Sequence, residues 1–100
     1  SFANEMRKIC ANIHIDYDKV LGYALYDERI GGTHLSVPGP DGRLGFGGSC
    51  FPKDVNALIH FSRSLGFEPI VLSSVWNKNL ETRPERDWEN LKGRAVSETE

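Results

Sequence analysis

Gly45-Phe46-Gly47-Gly48-Ser49-Cys50-Phe51-Pro52-Lys53-Asp54-Val55-Asn56-Ala57-Leu58 is a run in which a glycine-rich turn passes directly into a helix. Pro52 suits the first helical position, since its missing N–H is one that a helix start leaves unbonded and its fixed φ is already helical. Phe51 is then the expected N-cap. Val55, Leu58, Ile59 and Leu65 continue at helical spacing until Gly66, which can take the left-handed conformation that ends a helix.

Upstream of this run, Gly31 to Gly48 hold seven of the ten glycines and two of the five prolines. So long a loop in a compact domain is usually a functional one. Before it, Phe2, Met6, Ile9, Cys10 and Ile13 mark the apolar side of a first helix. It starts at residue 1 with no capping signal ahead of it, which suggests a helix that begins upstream. Asp16 is the expected N-cap of a second helix burying Tyr17, Val20, Leu21, Ala24 and Leu25 and ending near Arg29. Downstream, Ile70 to Leu80 read as a fourth helix with Val71, Leu72, Val75, Trp76 and Leu80 as core candidates. The fold class expected is mainly α, about four helices with a long Gly/Pro-rich active-site loop, the first two packed as an antiparallel hairpin. Pro84 breaks the pattern. The polar remainder reads as a linker or tail, with Trp88 a boundary residue.

Bulk composition narrows the class. At 39% hydrophobic and 26% charged, 100 residues supply one modest core. A net charge of −2 with both signs interspersed offers no basic stripe for nucleic acid, and no apolar run approaches membrane-spanning length. The opening SFANEM lacks the pattern of a signal peptide. Two cysteines, Cys10 and Cys50, form neither a disulfide framework nor a metal-type pair, which fits a reducing, cytoplasmic setting.

Chemistry concentrates at Cys50. A thiol at a helix start sits against free N–H groups and the positive end of the dipole, with Lys53 adding positive charge, and this stabilises the thiolate that attacks carbonyl carbon. The same N–H groups suit the oxyanion of such an attack. Asp54, one turn on, lies on roughly the same side and is placed to position water for thioester hydrolysis. A plainer reading stands beside this one: a lone cysteine is more often a small buried hydrophobe, Asp54 compensates the helix dipole, Lys53 is a solvated surface group, and the glycines make a tight turn. The glycine run is neither a phosphate loop nor a dinucleotide fingerprint. Cys10 and His14 are one helical turn apart, a spacing read as packing rather than metal ligation, and Arg29 reads as a helix-end cation.

GFGGSCFPKDVNAL at 45–58 resembles the active-site segment of the UDP-glucose and GDP-mannose dehydrogenase family. Ser1-Phe2-x-Asn4-Glu5 and Asp27-x-Arg29-Ile30-Gly31 match the same family in the same order, so the resemblance covers most of residues 1 to 80. It implies the helical middle domain of an NAD-dependent enzyme that oxidises the C6 alcohol of a nucleotide sugar to a carboxylate, of the UDP-glucose to UDP-glucuronate type. The division it implies is a helical central domain over 1–83 and, over 84–100, a linker or the start of a truncated C-terminal nucleotide-binding domain, with Leu91-Lys92-Gly93-Arg94 as the approach to it. The route implied runs through an aldehyde, a Cys thiohemiacetal and a thioester. By that resemblance Cys50 is the nucleophile, Asp54 assists the water-dependent chemistry, Phe46 and Gly47 contact the sugar nucleotide, and Lys53 lies beside the nicotinamide. Arg29 reaches substrate in the neighbouring subunit of a homodimer. A Lys and an Asn serving the first oxidation, and the domain that binds most of the NAD, lie outside this sequence, so the chain alone is expected to be inactive. The 36–44 loop looks longer than in many relatives, which leaves Leu35, Ser36 and Arg43 without a role. Two competing expectations are a non-catalytic helical dimerisation module with Cys50 buried and a small metal-binding protein using Cys10, His14 and Cys50.

Overall fold

The computed structural model describes residues 1–90, within which four α-helices and one short 3-10 helix occur and no strand. They are α1 (Phe2–Asn12), α2 (Tyr17–Ala24), α3 (Phe51–Ser64), α4 (Ile70–Thr82) and a 3-10 turn at Asp87–Asn90. The mainly helical class expected from the sequence is the one found. Two compact units divide the chain, Ser1–Leu44 and the residues from Gly45 on. Leu91-Lys92-Gly93-Arg94, read as the approach to a further domain, falls outside the described residues. Among the described residues no helix is long and apolar enough to cross a membrane.

In the first unit α1 packs on α2. Ala3, Cys10, Tyr17 and Val37 are buried together, with Met6, Leu21 and Leu35 against them. The buried side of α1 is therefore Ala3, Met6 and Cys10, whereas Phe2, Ile9 and Ile13, which the apolar spacing assigned to the same side, are 67%, 48% and 58% exposed. α1 ends where His14 turns left-handed at φ 59°. The His14 N–H donates to Ala11 O at 3.2 Å and the Ile15 N–H to Cys10 O at 2.8 Å, the paired bonds that close a helix C-terminus. Asp16 caps α2 as its sequence suggests, its carboxylate accepting from the Asp18 N–H at 3.0 Å. That helix stops at Ala24, short of the expected Arg29, and turns carry the chain on. The Tyr17 hydroxyl donates to Leu35 O at 2.6 Å and ties the loop to α2. Burial pushes this phenol above its ordinary value, with smaller contributions from Asp18 and Cys10.

In the second unit α3 packs on α4. Gly66, at φ 80°, ends α3 as its sequence predicts, with the Gly66 N–H on Arg63 O at 2.9 Å and the Phe67 N–H on Ser62 O at 3.1 Å. At the other end the cap is Cys50 rather than Phe51, because the Asp54 N–H reaches Cys50 O at 2.8 Å and Cys50 itself has helical φ and ψ. Pro52 is accordingly the second helical residue and is buried. α4 departs from its expected core: Val71 is 76% exposed, while Asn79 and Arg83 are fully buried. Trp88, read as a boundary residue, is also buried, since the 3-10 turn folds it onto Trp76 with ring centroids 5.1 Å apart.

Candidate active site

Five residues bring the glycine turn and the far end of α4 together. The Phe46 N–H donates to Asn79 Oδ1 at 2.7 Å, and Asn79 Nδ2 donates to Phe46 O at 2.8 Å. One carboxamide thus satisfies both backbone groups of a loop residue, as a neighbouring strand would. Two residues on, the Gly48 N–H donates to Asp87 Oδ2 at 3.0 Å. Arg83 holds that carboxylate with both prongs of its guanidinium, Nε to Oδ1 at 2.8 Å and Nη2 to Oδ2 at 3.2 Å. Burial alone raises Asp87, yet the Gly48 N–H and the Arg83 guanidinium together hold its carboxyl below the ordinary value.

Two of the glycines are required by these partners. Gly45 sits at φ 70°, and a Cβ there would stand 2.5 Å from Asn79 Oδ1 and 3.1 Å from Arg83 Cβ. At Gly47 a Cβ would run into Asp87 Oδ1 and lie 2.6 Å from Arg83 Cζ. The closeness of loop to helix thus accounts for both positions. Phe46 points its ring into an aromatic column, edge-on to Phe51 at 6.0 Å and tilted against Trp76 at 6.0 Å. Such pairs add to the area they bury by about 0.5–1.5 kcal/mol each.

The loop ends in Cys50, whose thiol is free and exposed at the start of α3, while Cys10 is free and buried in the other unit. Ser49 Oγ lies 3.8 Å from Cys50 Sγ. Asp54 stands one helical turn beyond Cys50 and is exposed, as is Lys53, whose Nζ is 3.6 Å from Asp54 Oδ1. An ion pair so open to water adds little stability, which leaves both side chains available to a bound molecule. Cys50, Lys53, Asp54, Phe46 and Gly47 therefore share the second unit, and Arg29 belongs to the first. There its guanidinium is bidentate to Asp27, at 3.0 and 2.7 Å, and lies largely in solvent. That hydrogen bonding holds the Asp27 carboxyl below its ordinary value. Among the described residues no three His, Cys, Asp or Glu side chains are grouped to hold a metal.

The glycine turn thus delivers an exposed thiol to a helix start, and this stretch lies within the part of the chain that resembles known proteins. The profile of the UDP-glucose/GDP-mannose dehydrogenase family, central domain, matches residues 1–81. The chain belongs to this family. Similar proteins include the UDP-glucose 6-dehydrogenase AglM of Haloferax volcanii, 38% identical over 94 residues, which are 94% of this chain and 20% of that protein. The UDP-glucose 6-dehydrogenase of Pseudomonas aeruginosa is 42% identical over 79 residues, 79% of this chain and 16% of that enzyme. TuaD of Bacillus subtilis, also a UDP-glucose 6-dehydrogenase, is 36% identical over 83 residues, 83% of this chain and 17% of its own length. The chain thus spans a fifth or less of these dehydrogenases. No solved structure matches it significantly.

Sequence reading of this dehydrogenase-family domain found the cysteine and its loop but not Asn79, Arg83 and Asp87. Their signal was a polar series at i, i+4 and i+8 continuing the side of α4 that carries Leu72, Val75 and Trp76. Pro84 ends the apolar pattern, so nothing local in the sequence marks the packing that continues past it.

Proposed function

We propose that this chain is the central domain of an NAD-dependent dehydrogenase that oxidises the C6 alcohol of a nucleotide sugar to a carboxylate, as UDP-glucose is converted to UDP-glucuronate. The observation that carries the proposal is the exposed Cys50 thiol at the α3 N-terminus within a chain matched to the family over residues 1–81. Cys50 Sγ bonds to the aldehyde carbon, giving a thiohemiacetal, and the carbonyl oxygen develops charge at the N-terminal, positive end of the α3 dipole. Oxidation of this adduct to a thioester, with its hydride going to NAD and its hydroxyl proton to solvent, is the chemistry a bound NAD would supply. Water then attacks the thioester carbon, the C–S bond breaks, and the carboxylate leaves with Cys50 restored. Asp54, exposed one turn along α3, orients that water and takes its proton. Phe46 and Gly47 line the approach of the sugar nucleotide, and Arg29 presents an exposed guanidinium suited to a substrate held by a second copy of the chain.

The described residues contain no strand followed by a glycine fingerprint and helix, so they do not build a dinucleotide site themselves. Lys53, exposed beside Cys50, is the one residue here assigned to NAD. We place the central domain at 1–83 and read 84–100 as leading toward a second nucleotide-binding domain. The apolar residues Phe2, Ile9 and Ile13 that α1 leaves exposed support a homodimer as part of this reading. A free, exposed thiol suits a reducing compartment such as the cytoplasm.

The test is a chimera of Bacillus subtilis TuaD in which residues 1–90 of this chain replace the matching segment, assayed for NADH with UDP-glucose. Two NADH per sugar are expected, and Cys50→Ala should abolish carboxylate formation. Undiminished carboxylate formation by the Cys50→Ala chimera would sink the mechanism.

A further inference from the structure

The proposed chemistry needs the thiol aimed at a carbonyl carbon, yet Cys50 is exposed, with Ser49 Oγ of its own loop 3.8 Å from Sγ. What fixes its direction is the backbone that precedes it. That backbone is gripped at two alternate residues, Phe46 by the Asn79 carboxamide and Gly48 by the Asp87 carboxylate, with Arg83 locking Asp87. Gly47, between the two anchors, fits only because it lacks a side chain. Asn79 and Arg83 are 0% and 1% exposed. Burying a carboxamide and a guanidinium costs free energy that apolar residues at the same α4 positions would not. Directional hydrogen bonds from buried side chains select one backbone arrangement, where an apolar contact tolerates several.

We propose that Asn79, Arg83 and Asp87 are positioning residues for Cys50, fixing from α4 and the 3-10 turn the path by which the glycine loop enters α3. The inference rests on the reading of Cys50 as the nucleophile. They act through the Phe46 and Gly48 backbone, four and two residues before the thiol. The loop is thereby set before substrate arrives, so the alignment is not drawn from binding energy.

Two isosteric variants test this. Asn79→Asp keeps the acceptor for the Phe46 N–H and removes the donor to Phe46 O. Asp87→Asn keeps an acceptor for the Gly48 N–H and removes the charge that Arg83 grips. In a Cys10→Ala background, a nitroxide attached to Cys50 reports loop order by its electron paramagnetic resonance line shape, whether or not the protein turns over. In the TuaD chimera, kcat and KM for UDP-glucose are measured at a temperature where circular dichroism shows each variant folded. Both variants should raise nitroxide mobility and lower kcat about tenfold or more, with KM held within about twofold, the signature of lost alignment rather than lost binding. Unchanged mobility in folded variants overturns the proposal, and so does raised mobility with unchanged kcat. Should Asn79→Asp fail to fold, Asp87→Asn, whose side chain is partly solvent-exposed, decides alone. A chimera that makes no NADH with Cys50, Asn79 and Asp87 intact refutes the dehydrogenase reading, and the mobility result then decides the clamp by itself.

Discussion

Replacing Asn79 by Ala removes the most enclosed polar side chain of the second unit and strips two hydrogen bonds from one loop residue. The Phe46 N–H loses an acceptor at 2.7 Å and Phe46 O loses a donor at 2.8 Å. Each backbone group left unsatisfied costs about 1–3 kcal/mol, so two cost about 2–6 kcal/mol. Phe46 is only half-buried, so water recovers part of this and the lower half of the range, about 2–4 kcal/mol, is expected. For a domain of this size that lowers the midpoint of thermal unfolding by roughly 10–30 °C. Both tryptophans, Trp76 and Trp88, stack on each other inside this unit, so fluorescence during a thermal ramp follows this unit. A midpoint within about 3 °C of the parent would show that Phe46 does not depend on Asn79, since even 1 kcal/mol moves a small domain by about 4–8 °C. The grip described here would then be wrong.

Three further outcomes follow from the same geometry. Gly45→Ala and Gly42→Ala both place a methyl at positive φ, but only Gly45 would meet Asn79 Oδ1, nothing lying within 4 Å at Gly42; Gly42→Ala should cost about 1 kcal/mol and Gly45→Ala at least about twice that, read by urea denaturation. Asp87 ionises below its ordinary value in the folded state, so its contribution is complete above the unfolded carboxyl value of about 3.9 and is lost as pH falls through the lower folded value. Melting followed by tryptophan fluorescence should therefore decline more steeply below about pH 4 in the parent than in Asp87→Asn, where this carboxyl no longer titrates. Iodoacetamide should modify exposed Cys50 in the native protein and reach buried Cys10 only on unfolding, with peptide mass mapping to separate the two; equal native rates would contradict the burial of Cys10.

Several parts of the site were legible because their causes are local. Gly66 stops α3 and Asp16 starts α2 through bonds that span only a few residues, and such signals act the same way in almost any context. The cysteine at a helix start belongs to the same class, with the cap misplaced by one residue because Pro52 suits the second helical position as well as the first. Apolar spacing was less decisive. In α1 it marked Phe2, Ile9 and Ile13 beside Cys10, although the packed side runs through Ala3 and Met6. A stripe of apolar residues identifies a helix without saying which neighbour covers which part of it.

By itself, then, the sequence determined the helical class, the stop of α3 at Gly66, the start of α2, and the delivery of Cys50 by a glycine turn to a helix N-terminus. Only the tertiary structure decided what holds that turn. Phe46 meets Asn79 across 33 residues and Gly48 meets Asp87 across 39, distances over which no capping rule or periodicity carries information. Asn79, Arg83 and Asp87 look like ordinary polar positions until α4 is laid against the loop. Laid there, the Asn79 carboxamide and the Asp87 carboxylate take as partners the backbone groups of the loop that leads to the thiol.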